Sequence, residues 1–134
     1  MNTEDIKQLI VKNAEEIRRL HESVHEAATH RDKSSEHRER WQRTAREFRQ
    51  RYDALAFPGG FDGAYVRILS GDSEAIEAAL CFLEIRPYFF RSGYMYRALV
   101  AKVRHANLSK NQSERFKIFS ERLAEWRQSR QRVT

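Results

Sequence analysis

An aromatic-rich segment at residues 82–103, FLEIRPYFFRSGYMYRALVAKV, constrains the fold of this chain more than any other stretch. Six of the chain's aromatic residues lie between Phe82 and Tyr96, together with one of its two prolines. Aromatic side chains bury large apolar areas, so this density predicts the centre of the hydrophobic core. Pro87 disfavours a helical conformation in the residue before it, whereas Ser92 can begin a new helix. The segment is therefore predicted to join two helices.

The N-terminal part of the chain has the apolar periodicity of two long helices. Residues 3–29 place isoleucine and leucine on one helical face, with Asn2 or Thr3 as the cap. Residues 36–56 carry an apolar seam with alternating spacings of four and three residues. Residues 1–56 are therefore predicted to form a long antiparallel helical hairpin in which the seam is mostly buried. The seam consists of Trp41, Ala45, Phe48, Tyr52 and Leu55.

Residues 57–134 are predicted to form four shorter helices after a clear break at the sequence FPGG. Five glycines and two prolines in 134 residues favour helices over many tight turns. The tail from Arg127 is expected to fray. The chain is thus predicted to be a single all-α domain, residues 1–134, in which the hairpin packs on a compact four-helix unit. Helix caps are expected at Asp62, at Asp72 or Ser73, and at the capping box Ser109-Lys110-Asn111-Gln112, and a helix stop at Gly71.

Two stretches of the sequence, RYDALAFPGGFDGA and LEIRPYFFRSGYMYRAL, resemble a family of small, helical, uncharacterised bacterial proteins. The resemblance implies a bacterial, cytosolic, single-domain protein, and it supplies no catalytic residue or substrate. The single cysteine, Cys81, excludes a disulfide within the chain and also favours the cytoplasm. No signal-peptide apolar region follows Met1, and no apolar run is long enough to cross a bilayer, so no membrane association is expected.

Basic residues are concentrated in the final third of the chain. The formal net charge is +6, and residues 86–134 alone carry +9, from 12 basic and three acidic side chains. Such a surface attracts acidic partners, so we expect a non-catalytic binding or regulatory protein with an acidic protein partner. A non-specific nucleic-acid binder, or simply a solvated cationic surface, would have the same charge. The candidate binding residues are Arg91, Arg97, Arg104, Lys117, Arg122, Arg127 and Arg130.

The sequence His21-Glu22-Ser23-Val24-His25 matches the H-E-x-x-H pattern of zinc hydrolases. Two histidines four residues apart share a helical face and can bind zinc, while Glu22 could activate a bound water. The alternative is structural, because His21 falls inside the apolar stripe and His25 at its edge. No third ligand is evident. A metal-dependent hydrolase that uses zinc is therefore the second functional hypothesis.

Two arginines flank the aromatic cluster at residues 88–90. Arg86 and Arg91 could bind an anion at the start of the helix near Ser92. Alternatively, Glu84 could neutralise one of them, because buried charges are normally paired. The sequence favours this second interpretation, a structural ion pair.

Overall fold

The computed structural model describes residues 1–133, with side-chain positions through residue 131. Over this range the protein is all-α, as predicted. No helix in the range combines the length and the apolar composition needed to cross a membrane. The six helices are α1 (Thr3–Thr29), α2 (Ser35–Ala56), α3 (Ala64–Leu69), α4 (Ser73–Ile85), α5 (Ser92–Arg104) and α6 (Lys110–Val133).

The helix α6 differs from the sequence-based expectation. It has 24 residues and is longer than α2, which has 22, so the four C-terminal helices are not all shorter than the hairpin helices. It also continues past Arg127 to Val133, where fraying was expected, and Thr134 lies outside the described residues. Uninterrupted helix-forming residues, with no glycine or proline after residue 93, account for this length.

Side chains cap most of the helices as the sequence predicts. Asn2 and Asp5 form a reciprocal capping box at α1. At α6, the Gln112 N–H donates to Ser109 Oγ at 3.2 Å, and the Ser109 N–H donates to Gln112 Oε1 at 3.1 Å. The Asp72 carboxylate accepts the first N–H groups of α4.

The cap predicted for α3 is wrong. The N-cap of that helix is Gly63, at φ 76°, and it makes no side-chain cap bond. Asp62 instead donates its own N–H to Asp53 Oδ1 at 2.7 Å. The loop before α3 is thereby bonded back to the end of α2, and a left-handed turn, which glycine adopts readily, starts the helix.

The helix α4 is the centre of the core. Eight of its residues are buried, and it packs against α1, α3, α5 and α6. The aromatic segment was predicted to hold this position. Phe82, Phe89 and Tyr96 are buried in the core, but Tyr88 and Tyr94 are 80% and 70% exposed. The difference arises because the backbone leaves α4 before Pro87 and then crosses the surface, so alternate rings face solvent.

The hairpin is buried on one side only. In α1, six residues are buried, whereas α2 buries only Ala56. The seam residues Trp41, Ala45, Phe48, Tyr52 and Leu55 are all partly buried, and Phe48, Tyr52 and Leu55 pack against the core. The helix α2 packs chiefly on α1 and leaves its arginine-rich faces in solvent.

Candidate functional site

A cleft of about 930 Å³ opens beside the loop that joins α4 to α5. Residues of α1, of this loop, of the first turns of α5 and of the end of α6 line it. Its volume is in the range of ligand-binding sites. The charged residues of the lining are Arg18, Glu22, Arg86, Arg91, Arg97 and Arg127.

The loop from Arg86 to Arg91 has an unusual backbone at both ends. Arg86 has φ 52° and Arg91 has φ 68°, and within residues 1–133 they are the only residues other than glycine with positive φ. A side chain makes this left-handed conformation unfavourable. Arg86 ends α4, and its N–H donates to the Phe82 carbonyl at 2.8 Å, while Arg91 is the N-cap of α5. Both arginine side chains line the cleft.

Hydrogen bonds attach this loop to three helices. Arg18 Nη1, from α1, donates to the Tyr88 carbonyl at 2.5 Å. The Tyr52 hydroxyl, from α2, donates to the Phe90 carbonyl at 2.7 Å. The Phe89 N–H donates to Ser92 Oγ, in α5, at 3.0 Å. Burial raises the pKa of Tyr52, so its hydroxyl remains a donor at neutral pH. The loop is therefore held in place before any ligand binds.

Three arginines of the cleft lie over aromatic rings. The Arg86 guanidinium carbon is 4.5 Å from the centre of the Tyr96 ring and 5.4 Å from that of Trp126. Arg91 and Arg97 lie over the rings of Phe90 and Tyr94, each at 5.2 Å. Cation–π contacts of this kind fix a guanidinium without neutralising it.

None of these three arginines pairs with Glu84, so the predicted structural ion pair is wrong. Glu84 instead bonds Arg115 of α6 at 2.6 Å and lies 3.6 Å from Lys7 of α1. The helix α4 directs Glu84 toward α1 and α6, whereas Arg86 follows the end of that helix and turns with the loop. Within the described residues, Arg18, Arg86, Arg91, Arg97 and Arg127 have no carboxylate within ion-pair distance.

The predicted binding residues are not all in one place. Arg91, Arg97 and Arg127 line the cleft. Arg130 lies at its edge, over the Trp126 ring at 5.0 Å. Arg122 lines a separate cavity of about 240 Å³. Arg104 and Lys117 are exposed and are not part of the cleft lining.

Sequence reasoning did not assign two cleft arginines to binding. For Arg86 the sequence left anion binding open but favoured an ion pair, and Arg18 was not singled out. Arg18 lies three residues before His21, which places both on neighbouring positions of one helical face. That spacing was visible in the sequence. Its significance depends on the distant loop at residues 86–91, which no local pattern connects to α1.

The H-E-x-x-H residues adjoin the same cleft. His21 and Glu22 line it, and the rings of His21 and His25 are 4.6 Å apart. His21 also contacts Phe90 at 4.8 Å and Phe48 at 5.3 Å. Burial, followed by the proximity of His25, lowers the pKa of His21, so this imidazole is neutral and packs as an aromatic ring.

The residues around His21 and His25 do not form a complete zinc site. Among residues 1–131, no group of three or more histidine, cysteine, aspartate or glutamate side chains could hold a metal ion. A catalytic zinc normally has three protein ligands and one open position. His21 and His25 thus supply two of the three protein ligands that a catalytic zinc requires.

Cys81 is fully buried in α4. Burial raises the pKa of its thiol to about 11, in spite of the nearby Arg115 guanidinium. A thiol with this pKa is almost entirely protonated at neutral pH and is a poor nucleophile.

Comparison with known proteins adds no functional assignment. The chain matches no protein-family model, no curated protein and no solved structure. The chemistry of the arginine cleft is therefore the basis for the function proposed below.

Proposed function

We propose that this chain is a non-catalytic, cytosolic binding protein, of bacterial origin, that receives an acidic protein partner at the arginine cleft. The single observation that supports this function is the charge of the cleft: five arginines line it with one glutamate, and none of the five has a carboxylate counter-ion among the described residues. Cationic side chains gathered around one concave surface attract a complementary acidic surface and raise the rate of encounter.

The residue types of the cleft also suit a protein interface. Arginine, tyrosine and tryptophan are enriched among the residues that contribute most to protein–protein affinity. The cleft contains all three, and Tyr94 and Trp126 are 70% and 44% exposed. Rings with fixed guanidinium groups provide a large contact area with few rotatable bonds, so little conformational entropy is lost on binding.

The aromatic rings favour a protein over single-stranded nucleic acid. Nucleic-acid grooves combine cations with rings whose faces are open for base stacking. Here guanidinium groups already lie over the rings of Phe90, Tyr94, Tyr96 and Trp126. Tyr96 is in addition buried. Base stacking would have to displace these contacts, whereas an acidic protein can use them unchanged.

The alternative of a zinc hydrolase has weaker support. The His21 ring packs against Phe48 and Phe90, and the described residues supply no third ligand. In that mechanism Glu22 would act as the base toward a metal-bound water. Metal analysis of protein purified without a histidine tag tests this alternative directly.

The proposed function predicts that charge reversal in the cleft abolishes capture of a partner. The test compares wild type with Arg91→Glu, Arg97→Glu and Arg127→Glu combined, in pull-downs from nuclease-treated lysate of the source cells at low and moderate salt. The matched control reverses Arg43, Arg46 and Arg49, three exposed arginines of α2. We expect an acidic protein to be recovered by wild type and control and lost with the cleft variant.

Two results would contradict this proposal. Equal loss in both triple variants would show that only the overall charge matters. Capture that occurs in a parallel untreated lysate but not in the nuclease-treated lysate would assign the cleft to nucleic acid instead. Salt should weaken the specific capture, because exposed charges are screened within about 8–10 Å.

A further inference from the structure

The arginines of the cleft have unused hydrogen-bond donors. Within the described residues, the guanidinium groups of Arg86, Arg91 and Arg97 lie over aromatic rings and donate no hydrogen bond. A guanidinium has five N–H donors in a planar fork, and contact with a ring leaves most of them available. These donors match an oxyanion with several acceptor oxygens better than they match a single carbonyl.

From these contacts we propose, in addition to the proposed function on which this inference rests, that the cleft recognises a phosphomonoester carried by a side chain of the acidic protein partner, through Arg86, Arg91 and Arg97. A phosphomonoester brings a charge of about −1.5 to −2 and three acceptor oxygens on one phosphorus atom. A carboxylate brings one charge and two oxygens, enough for one guanidinium fork. Three guanidinium groups around one cleft therefore favour the phosphorylated ligand.

The left-handed backbone at both ends of the loop helps to position the binding arginines before the anion arrives. Arg86 and Arg91 are held in the left-handed conformation by the bonds that join the loop to α1, α2 and α5. Strained residues of this kind persist where the surrounding structure fixes them, and they cluster at binding sites. Because the loop and the ring contacts set the guanidinium positions in advance, less entropy is lost when the anion binds.

The charges around the site favour an anion of high charge density. Among the described residues that line the cleft, Glu22 is the only one with a carboxylate. The first turn of α5, which begins at Ser92 in the cleft, contains no acidic residue, and its N-cap side chain makes no cap bond. The positive end of the helix dipole thus adds to the arginine charge instead of opposing it.

The test is a nuclear magnetic resonance titration of the ¹⁵N-labelled full chain at moderate salt. The probes are phenyl phosphate, O-phosphoserine in a short acidic peptide, the same peptide with unmodified serine, and inorganic phosphate. We expect saturable shifts of the Ser92 and Gly93 amides with the phosphorylated probes. Replacing phosphoserine by serine should weaken binding by about tenfold or more, because serine lacks the charged oxygens that accept hydrogen bonds from the guanidinium groups.

Charge-conserving variants separate fork recognition from simple attraction. Arg86→Lys and Arg97→Lys keep the net charge but remove the planar fork. Each should weaken binding of the phosphopeptide by about tenfold, which is the loss of one charged hydrogen bond. The control Arg43→Lys, on α2, should leave binding unchanged.

Each outcome decides between specific alternatives. If the lysine variants bind the phosphopeptide as tightly as wild type, the inference is overturned. The proposed binding of an acidic protein at the cleft would remain. Equal affinity for the serine and phosphoserine peptides would have the same meaning. Inorganic phosphate binding as tightly as the phosphopeptide would show that the site takes the free ion rather than a modified protein. No saturable shift at the cleft with any probe would overturn the inference.

Discussion

Arg115 joins α6 to α4, and its guanidinium bonds two carboxylates of that helix. Arg115 Nη1 lies 2.5 Å from Glu77 Oε2, and Nη2 lies 2.6 Å from Glu84 Oε1. The three side chains are 17%, 21% and 27% exposed. We predict that Arg115→Met, which keeps most of the aliphatic stem, lowers the free energy of unfolding, because it leaves Glu77 without an ion-pair partner and Glu84 with Lys7 alone.

The expected loss follows from the partial burial of these groups. Breaking a fully buried pair costs about 3–5 kcal/mol, whereas an exposed pair contributes about 0–1 kcal/mol. Two pairs with about one fifth of their surface exposed should lie between these limits, at about 2–3 kcal/mol. Urea unfolding followed by circular dichroism measures this difference at neutral pH.

A control on the same helix isolates the effect of the ion pairs. Arg122 is exposed and lines the same small cavity as Arg115 and Glu84, without an ion pair to a described carboxylate. Arg122→Met should change stability by no more than about 0.5 kcal/mol. Equal losses in the two variants, or a loss below about 1 kcal/mol for Arg115→Met, would refute this explanation of how α6 is attached.

The same ion pairs predict how the loss depends on pH. Burial opposes the charged form of Glu77, but hydrogen bonds from Arg115 and Thr3 outweigh it and lower the pKa of this carboxyl. A lowered folded-state pKa gives stability that is present above the unfolded pKa, about 4.3, and is lost as pH falls through the folded value. The difference between wild type and Arg115→Met should therefore shrink when the pH is reduced below about 4.

Substitutions in the core and in the seam should lower the free energy of unfolding by different amounts. Phe82→Ala should lower it by about 3–5 kcal/mol, and Phe48→Ala, at a half-buried site, by about 1–3 kcal/mol. Urea unfolding measures both values. Amide exchange should be slowest in α4, and slower exchange in α2 would contradict the central position of α4. Because the pKa of His21 is lowered, protonation of the unfolded chain should reduce stability as pH falls through about 6.5, and His21→Phe should remove that part of the loss.

Local patterns were sufficient to predict the secondary structure of this chain. Asn2 is one of the two caps predicted for α1, and Ser109 and Gln112 form the predicted capping box, because a cap depends on residues three positions apart. Apolar periodicity predicted the all-α class for the same reason. At α3 this reasoning failed, since Asp62 is bonded to Asp53 across a turn that the local sequence does not specify.

Long-range placement was not predictable in the same way. Which helix lies at the centre depends on how many neighbours cover it, so the small and apolar residues of α4 occupy the core while Tyr88 and Tyr94 remain exposed. The partner of Glu84 depends on the position of α6, which brings Arg115 closer than Arg86. In the arginine cleft, Arg18 lies beside a loop that is far from it in the sequence. The hydrogen bond from Arg18 to the Tyr88 carbonyl joins residues that are 70 positions apart.

Site-specific photo-crosslinking tests the central claim, that the partner binds at the cleft. A photoreactive aromatic residue would replace Tyr94, in the cleft lining, or Val66, on α3 outside it. Both positions are 70% exposed, so they are equally accessible to a partner in solution. The two proteins would be irradiated in lysate with and without the reversal of Arg91, Arg97 and Arg127.

We expect one acidic protein to be crosslinked through position 94 and none through position 66, and we expect the crosslink to be lost when the three arginines are reversed. Crosslinking of the same protein through position 66, or through position 94 regardless of the arginine charges, would contradict the central claim.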